Sequence, residues 1–269
     1  MLIVDSQVHI WESGTPVKVH RQVTSYTAEE LLRDMDEAGV ARALLHPPSW
    51  DPRANEVAIE AARRYPERLA ILGYFDASRP ENRGLIDTWK RHPGMLGLRF
   101  SFLMPGQENW LVDGTLDWLW PAAARAGLPV GLLMPHREKE VGAIAAKHPD
   151  VKLLVDHMAR PRGSRDASGW ADLDNLLALA KYPNVAVKAS GAPAYSSEPY
   201  PYRNIHPYLK RVFDAFGPHR MFWGTDITRM PCTWRQCITM FTEELPWLKG
   251  RDLELVMGRA LCEWIGWQT

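Results

Sequence analysis

TAEELLRDMDEAGVARALL, residues 27–45, carries one complete helix-to-strand unit. Thr27 and Glu30 stand three apart, as in a capping box, where a hydroxyl and a carboxylate satisfy amides that a first helical turn leaves unpaired. Leu31, Leu32, Met35 and Ala38 then recur at helical spacing and share one face. Gly39 supplies the left-handed stop that glycine reaches without steric cost. The apolar run 43–45 follows as a strand.

Working outward, short apolar runs recur at 2–4, 69–74, 95–100, 129–133, 151–155, 185–187 and 221–223, making eight candidate strands with 43–45. They are near-continuously apolar rather than alternating, as parallel strands covered on both faces must be. Helical patterns fill 55–65, 116–126, 138–147 and 173–181, ending at Gly127 or ahead of Pro66, Pro149 and Pro183. His92, His148 and His206 fall at such punctuation and read as exposed terminal residues. No composition break, linker or internal repeat interrupts the alternation. This predicts an α/β chain with one domain over residues 1–269, a single (β/α)8 TIM barrel, even if distorted, rather than an open doubly wound sheet. The active site of such a barrel lies at the C-terminal strand ends.

With 46% hydrophobic and 24% charged residues, the chain can bury a substantial core. Thirty-two basic residues balance thirty-two acidic ones, so no global field favours nucleic acid or an anionic membrane, whereas a small-molecule substrate suits a neutral chain. Cys232, Cys237 and Cys262 have neither disulfide-framework nor zinc-knuckle spacing and read as buried thiols of a reducing compartment. The apolar start ends at Asp5, too short for a signal segment, and no run approaches membrane-spanning length. A cytoplasmic location is expected, with oligomeric state open. Twelve tryptophans fit aromatic packing around a large barrel.

The informative polar residues stand at strand ends, since a barrel points these into one mouth. Strand one ends in Asp5, Gln7 and His9, which alternation puts on one side. Strand four carries Arg99, strand six ends in Asp156, His157 and Arg160, strand seven carries Lys188 ahead of Ser190, and strand eight ends in Asp226. Two histidines and a carboxylate in one mouth either hold a divalent metal or relay protons themselves. No Gly-x-Ser-x-Gly elbow is present, which sets aside a Ser-His-Asp esterase.

Asp5-x-x-x-His9-x-Trp11, Asp156-His157-x-x-x-Pro161, Asn184-Val-x-Val-Lys188-x-Ser190-Gly191 and Phe222-x-Gly224-Thr225-Asp226 together resemble the amidohydrolase-2 family of the amidohydrolase superfamily. The resemblance spans almost the whole chain and is strongest to the branch of sugar-acid and 2-pyrone-4,6-dicarboxylate lactonases. It implies hydrolytic opening of a lactone, with Asp226 as general base toward water and His9 and His157 as hydrogen-bond donors to the oxyanion. Relatives usually carry His-x-His on strand one, and here Gln7 replaces the first histidine. Glutamine is a poor zinc ligand, so metal-free chemistry is expected, with zinc or manganese on His9, His157 and Asp226 as the alternative. That alternative brings decarboxylation or amide hydrolysis, and the loss at Gln7 also admits a non-catalytic binding subunit.

Substrate contacts are expected from Gln7, Arg99, Arg160, His46, Tyr195 and Tyr200. Arg99 and Arg160 predict a carboxylated substrate, because a guanidinium fork matches carboxylate geometry. The resemblance makes Arg160, three residues past His157, an anion-binding position. His46 ends strand two, and Tyr195 and Tyr200 lie on a Pro- and Tyr-rich loop, 191–202, whose aromatic stretch 193–202 is expected to close over the mouth. A second long loop, 102–114, follows strand four.

Overall fold

A computed structural model describes residues 1–268, in which eight parallel strands pair in chain order: β1 (Val4–Val8), β2 (Arg42–Leu45), β3 (Leu69–Tyr74), β4 (Met95–Ser101), β5 (Val130–Leu133), β6 (Leu153–Val155), β7 (Val185–Ser190) and β8 (Met221–Gly224). Helices alternate with them, and the architecture is the expected (β/α)8 barrel. The capping box forms as read: Glu30 N donates to Thr27 Oγ1 at 3.3 Å and Thr27 N to Glu30 Oε2 at 2.7 Å, ahead of the helix Ala28–Ala38. Gly39 closes that helix at φ 84°.

Alternation along β2 separates two apolar layers. Ala43 and Leu45 pack outward against the helices, while Leu44 packs inward with Val4, Leu72, Leu154, Ala186 and Phe222. The C-terminal helix Ala260–Ile265 presses Leu261 and Ile265 into this inner cluster and plugs the N-terminal mouth of the barrel. Each such buried aliphatic side chain contributes about 1.5–3 kcal/mol of transfer free energy, leaving the bottom of the barrel as scaffold.

Between β8 and β1 the barrel closes without a ladder, through one backbone bond and the Asp5 side chain. Asp226 N donates to Gln7 O at 2.7 Å. The Asp5 carboxylate accepts from Thr225 N at 2.8 Å, Gln7 N at 2.9 Å, Trp234 Nε1 at 2.9 Å and the Thr225 hydroxyl. Gly224 makes the approach possible, since a Cβ there would lie 2.3 Å from Ser6 Oγ. A register irregularity between Asp5 and Val8 allows Asp5 to serve this seam while Gln7 faces Lys188 across the interior. Strict alternation had put Asp5 and Gln7 on one side. The irregularity separates them.

Several boundaries differ from the sequence expectations. Strand one runs to Val8 because Asp5, Ser6 and Gln7 find hydrogen-bonding partners inside, so polar residues continue the strand. The expected helix 116–126 starts at Leu119, and 173–181 is α-helical only over Leu173–Leu177 before tightening into the 3-10 turn Ala178–Lys181. A 3-10 stretch, Pro80–Arg91, joins β3 to β4. His92 is exposed as expected, whereas His148 and His206 are half-buried. Cys237 and Cys262 are buried and Cys232 is half-buried. No helix among the described residues is long and apolar enough to cross a membrane.

Candidate active site

Two tiers of polar side chains cap the inner core at the C-terminal strand ends. In the deeper tier Asp156, Lys188, Gln7 and His46 are fully buried. Lys188 Nζ lies 2.6 Å from Asp156 Oδ1, and Arg99 Nε 2.8 Å from Asp156 Oδ2. Burial drives the Asp156 carboxyl upward, but Lys188 and Arg99 overcome it and hold its pKa well below the ordinary value. Burial in turn lowers Lys188 to about 8, against the pull of Asp156. A lone ion here would cost several kcal/mol, so these charges depend on one another.

A directed hydrogen-bond chain leads from this tier to the next. Lys188 Nζ donates to Gln7 Oε1 at 2.5 Å, which turns the amide nitrogen of Gln7 toward His9 Nε2 at 3.5 Å. His9 Nδ1 lies 2.6 Å from the His46 carbonyl oxygen. A carbonyl only accepts, so the ring proton sits on Nδ1 and the Nε2 lone pair faces the mouth. Burial lowers the pKa of His9 to about 3 despite Asp226, and the ring is neutral.

Asp226 follows β8 in the left-handed region, φ 60° and ψ 49°. Its Oδ2 lies 2.7 Å from Arg229 Nε and 3.5 Å from His157 Nε2. Its Oδ1 lies 3.4 Å from His9 Nε2 and 3.9 Å from His20 Nδ1, and has no hydrogen-bond partner. Burial pushes the Asp226 carboxyl up, and His9, Arg229, His20 and His157 outweigh it, holding the pKa below the ordinary value. With His9 neutral, Arg229 is the permanent cation in contact with Asp226. Gly191 (φ 73°) makes room for it, because a Cβ there would lie 2.2 Å from Arg229 Nη2. The Tyr195 ring stacks 5.5 Å from the guanidinium, and its hydroxyl accepts from Nη2 at 3.3 Å.

A cleft of about 490 Å³ opens over His9 and His20, walled by Trp50, Tyr74, Arg99, Leu103, Gln107 and Arg162. A recess of about 20 Å³ reaches His157, Asp226 and Arg229 and shares Leu103, Leu133 and Arg162 with the cleft. The volume suits a small molecule.

The structure thus brings His9, His157, Asp226 and Arg99 to one mouth. Gln7 and His46 lie beneath its floor, where their polar atoms serve Lys188, His9 and Ser6 rather than the cleft. Arg160 only borders the recess. Its nitrogens bond the carbonyls of Met158 and Gly169 and the Asp172 carboxylate, and its guanidinium stacks on Trp170. Tyr195 is spent on Arg229, while Tyr200 turns away and donates to Thr239 Oγ1 at 2.8 Å. The expected closing loop is therefore packed into the wall. Among the residues lining cleft and recess, His20, Trp50, Arg162 and Arg229 escaped the sequence reading. Of these, only Arg229, an opposite charge three residues past Asp226, left a local signal.

Spacing and charge give opposite answers for a divalent metal. His9, His20 and Asp226 can bring ligand atoms within 4.8 Å of one another, and this trio contains His20 where the sequence had suggested His157. Yet Arg229 already neutralises Asp226, and Gln7, whose carbonyl is held by Lys188, offers only an amide where a histidine would add an imidazole ligand. A metal on Asp226 would meet a guanidinium already in contact with that carboxylate, and an amide where a second strand-one imidazole could have bound it. The donor set as it stands fits a tightly held divalent ion poorly.

Fold and site together define a TIM-barrel hydrolase whose family model, Amidohydrolase, matches residues 4–267, and the chain belongs to that family. It is 22% identical to the L-fucono-1,5-lactonase of Burkholderia ambifaria over 83% of this chain and 79% of the relative. It is 24% identical to the 4-sulfomuconolactone hydrolase of Hydrogenophaga intermedia over 82% of this chain and 73% of the relative. In fold it matches a crystal structure of an amidohydrolase from Burkholderia multivorans with bound zinc, at TM-score 0.85 and 18% identity, covering 99% of both chains.

Proposed function

We propose that this enzyme opens the lactone ring of a small anionic substrate by attack of a water molecule that Asp226 deprotonates, without a tightly held metal. The observation that carries the reading is the convergence of two acceptors, Asp226 Oδ1 and the His9 Nε2 lone pair, 3.4 Å apart at the edge of the cleft. One water can donate a hydrogen to each, which leaves its oxygen lone pairs facing a bound carbonyl. His9 is then an acceptor that orients water, not the oxyanion donor expected from sequence.

As the water oxygen adds to the lactone carbonyl, its proton passes to Asp226 Oδ1. Collapse of the tetrahedral intermediate breaks the ring C–O bond, and Asp226 returns the proton to the leaving oxygen. A carboxyl with depressed pKa gives a proton up readily, which favours that second half. Arg99 and Arg162 supply positive charge toward the cleft. Arg99 spends Nε on Asp156, and its terminal nitrogens make no hydrogen bond among the described residues. Arg162 lines cleft and recess with no ion pair among the described residues. Two guanidinia suit a carboxylate or sulfonate on the substrate, and the two curated relatives named above are lactone hydrolases by name.

The test is turnover of a panel of anionic and neutral lactones. Asp226→Asn, which keeps size and removes the base, should lose about 10²-fold or more in kcat, and chelators should leave the wild type active. Because burial lowers the pKa of His9, His20 and His157 and Asp226 stays ionised, kcat/KM should lack the limb near about pH 6.5 that a free imidazole would impose. An active Asp226→Asn protein, or a wild type killed by chelation and restored by zinc or manganese, rejects the proposal.

A further inference from the structure

We infer that Arg229 is a built-in cation that takes the place of a divalent ion at Asp226, and that removing its charge opens a metal site on His9, His20 and Asp226. The inference rests on the metal-independent reading above, but not on which lactone is hydrolysed. Three features of the chain converge on it. Arg229 Nε contacts Asp226 Oδ2 at 2.7 Å, so the carboxylate already carries its compensating charge. The guanidinium is housed rather than draped: Gly191 leaves the space that a Cβ would fill, and Tyr195 stacks on it and accepts from it. The remaining donors are spaced for a small cation, with His9 Nε2 and His20 Nδ1 at 3.4 and 3.9 Å from the unpartnered Asp226 Oδ1.

The physics is one of charge. A divalent ion on Oδ1 would sit beside a guanidinium in a water-poor pocket, where the repulsion is poorly screened. With Arg229 replaced by an uncharged residue, the same ion meets an uncompensated carboxylate and two neutral imidazoles, the three-ligand open set that catalytic zinc accepts. Gln7 adds to the exclusion, because its amide, with the carbonyl held by Lys188, stands where a second imidazole would supply a further ligand. Arg229 therefore gives Asp226 a fixed partner that needs no ion from solution.

The experiment measures zinc retained after chelator treatment, zinc loading and desalting, with a fluorescent zinc competitor for affinity. All proteins carry Cys232→Ser, since the thiols of Cys232 and Cys237, 3.5 Å apart, would otherwise compete. Wild type should retain only substoichiometric zinc. Arg229→Met should retain about one zinc per chain, with affinity raised about 10- to 100-fold, the scale on which groups behind metal ligands act. Adding His20→Ala to Arg229→Met should remove that zinc. Arg229→Lys keeps the charge and should exclude zinc as wild type does. Gly191→Ala, which displaces the guanidinium without deleting it, should gain zinc and serves if Arg229→Met fails to fold. One tightly held zinc on the His9, His20 and Asp226 set of wild type overturns the inference, as does a folded Arg229→Met protein with no gain or a gain equalled by Arg229→Lys. Turnover does not enter, so failure of the lactone assignment would show separately, as no turnover across the lactone panel, and failure of the base assignment as an active Asp226→Asn enzyme.

Discussion

Asp226 and His157 both occupy the left-handed region, at φ 60° and 52°, where a residue with a side chain pays about 1–3 kcal/mol of strain. The strain is held by neighbours: Asp226 N bonds Gln7 O, and His157 Nδ1 meets Ser190 Oγ at 2.8 Å. These strand-end residues were legible because β-strand geometry carries their side chains to the mouth. Arg162 and Arg160 show where that logic stops. They stand two residues apart past β6, yet Arg160 is buried against Asp172 and Arg162 faces the cleft, since the turn between them obeys no period. Arg162→Met should accordingly raise KM for an anionic lactone severalfold and leave thermal stability near wild type. Arg160→Met should do the reverse, destabilising by about 3 kcal/mol, because it strands Asp172 and the carbonyls it serves. Urea unfolding beside steady-state kinetics separates the two, and a KM effect confined to Arg160 would restore the sequence-based assignment.

At the scale of elements, the seam between β8 and β1 carries more than its lack of a ladder suggests. Both oxygens of Asp5 accept, from two amides, an indole and a hydroxyl, and the next residue after Thr225 is Asp226 itself. Asp5→Asn turns one acceptor into a donor facing donors, so two of these bonds are lost and buried groups are left unpaired. The expected cost is about 2–3 kcal/mol of stability, together with lower kcat because the seam positions Asp226. A variant with lower stability but unchanged kcat would show that closure and site are independent. The elements themselves were largely readable. Capping boxes, Gly stops and prolines mark ends through local backbone chemistry, whereas the extension of β1 through Asp5 and Gln7 was hidden, since their partners Thr225, Trp234 and Lys188 lie more than 180 residues away.

Across the whole molecule, the barrel interior divides into an apolar lower half and an ionic upper half, and Asp156 ties β6 to β4 and β7 through Arg99 and Lys188. Its folded pKa is depressed, so its contribution to stability is full above the unfolded value near 4 and is lost as pH falls through the lower folded value. Asp156→Asn should cost about 3–5 kcal/mol at pH 7 by leaving buried cations unmatched, and it should flatten the acid limb of a stability profile measured by urea melts from pH 3 to about pH 7. An acid limb as steep in the variant as in wild type would place that titration elsewhere. By itself the sequence determined the class of fold, the order of its strands, and which strand ends carry His9, His157 and Asp226, because helix caps, apolar runs and strand alternation act between residues near in the chain. The tertiary structure alone decided that Gln7 and His46 serve the floor, that His20, Trp50 and Arg162 reach the cleft, and that Arg229 rather than solvent faces Asp226. Those outcomes depend on loop paths and on charges meeting across the barrel, and no local pattern encodes the distance between residues that only closure of the barrel brings together.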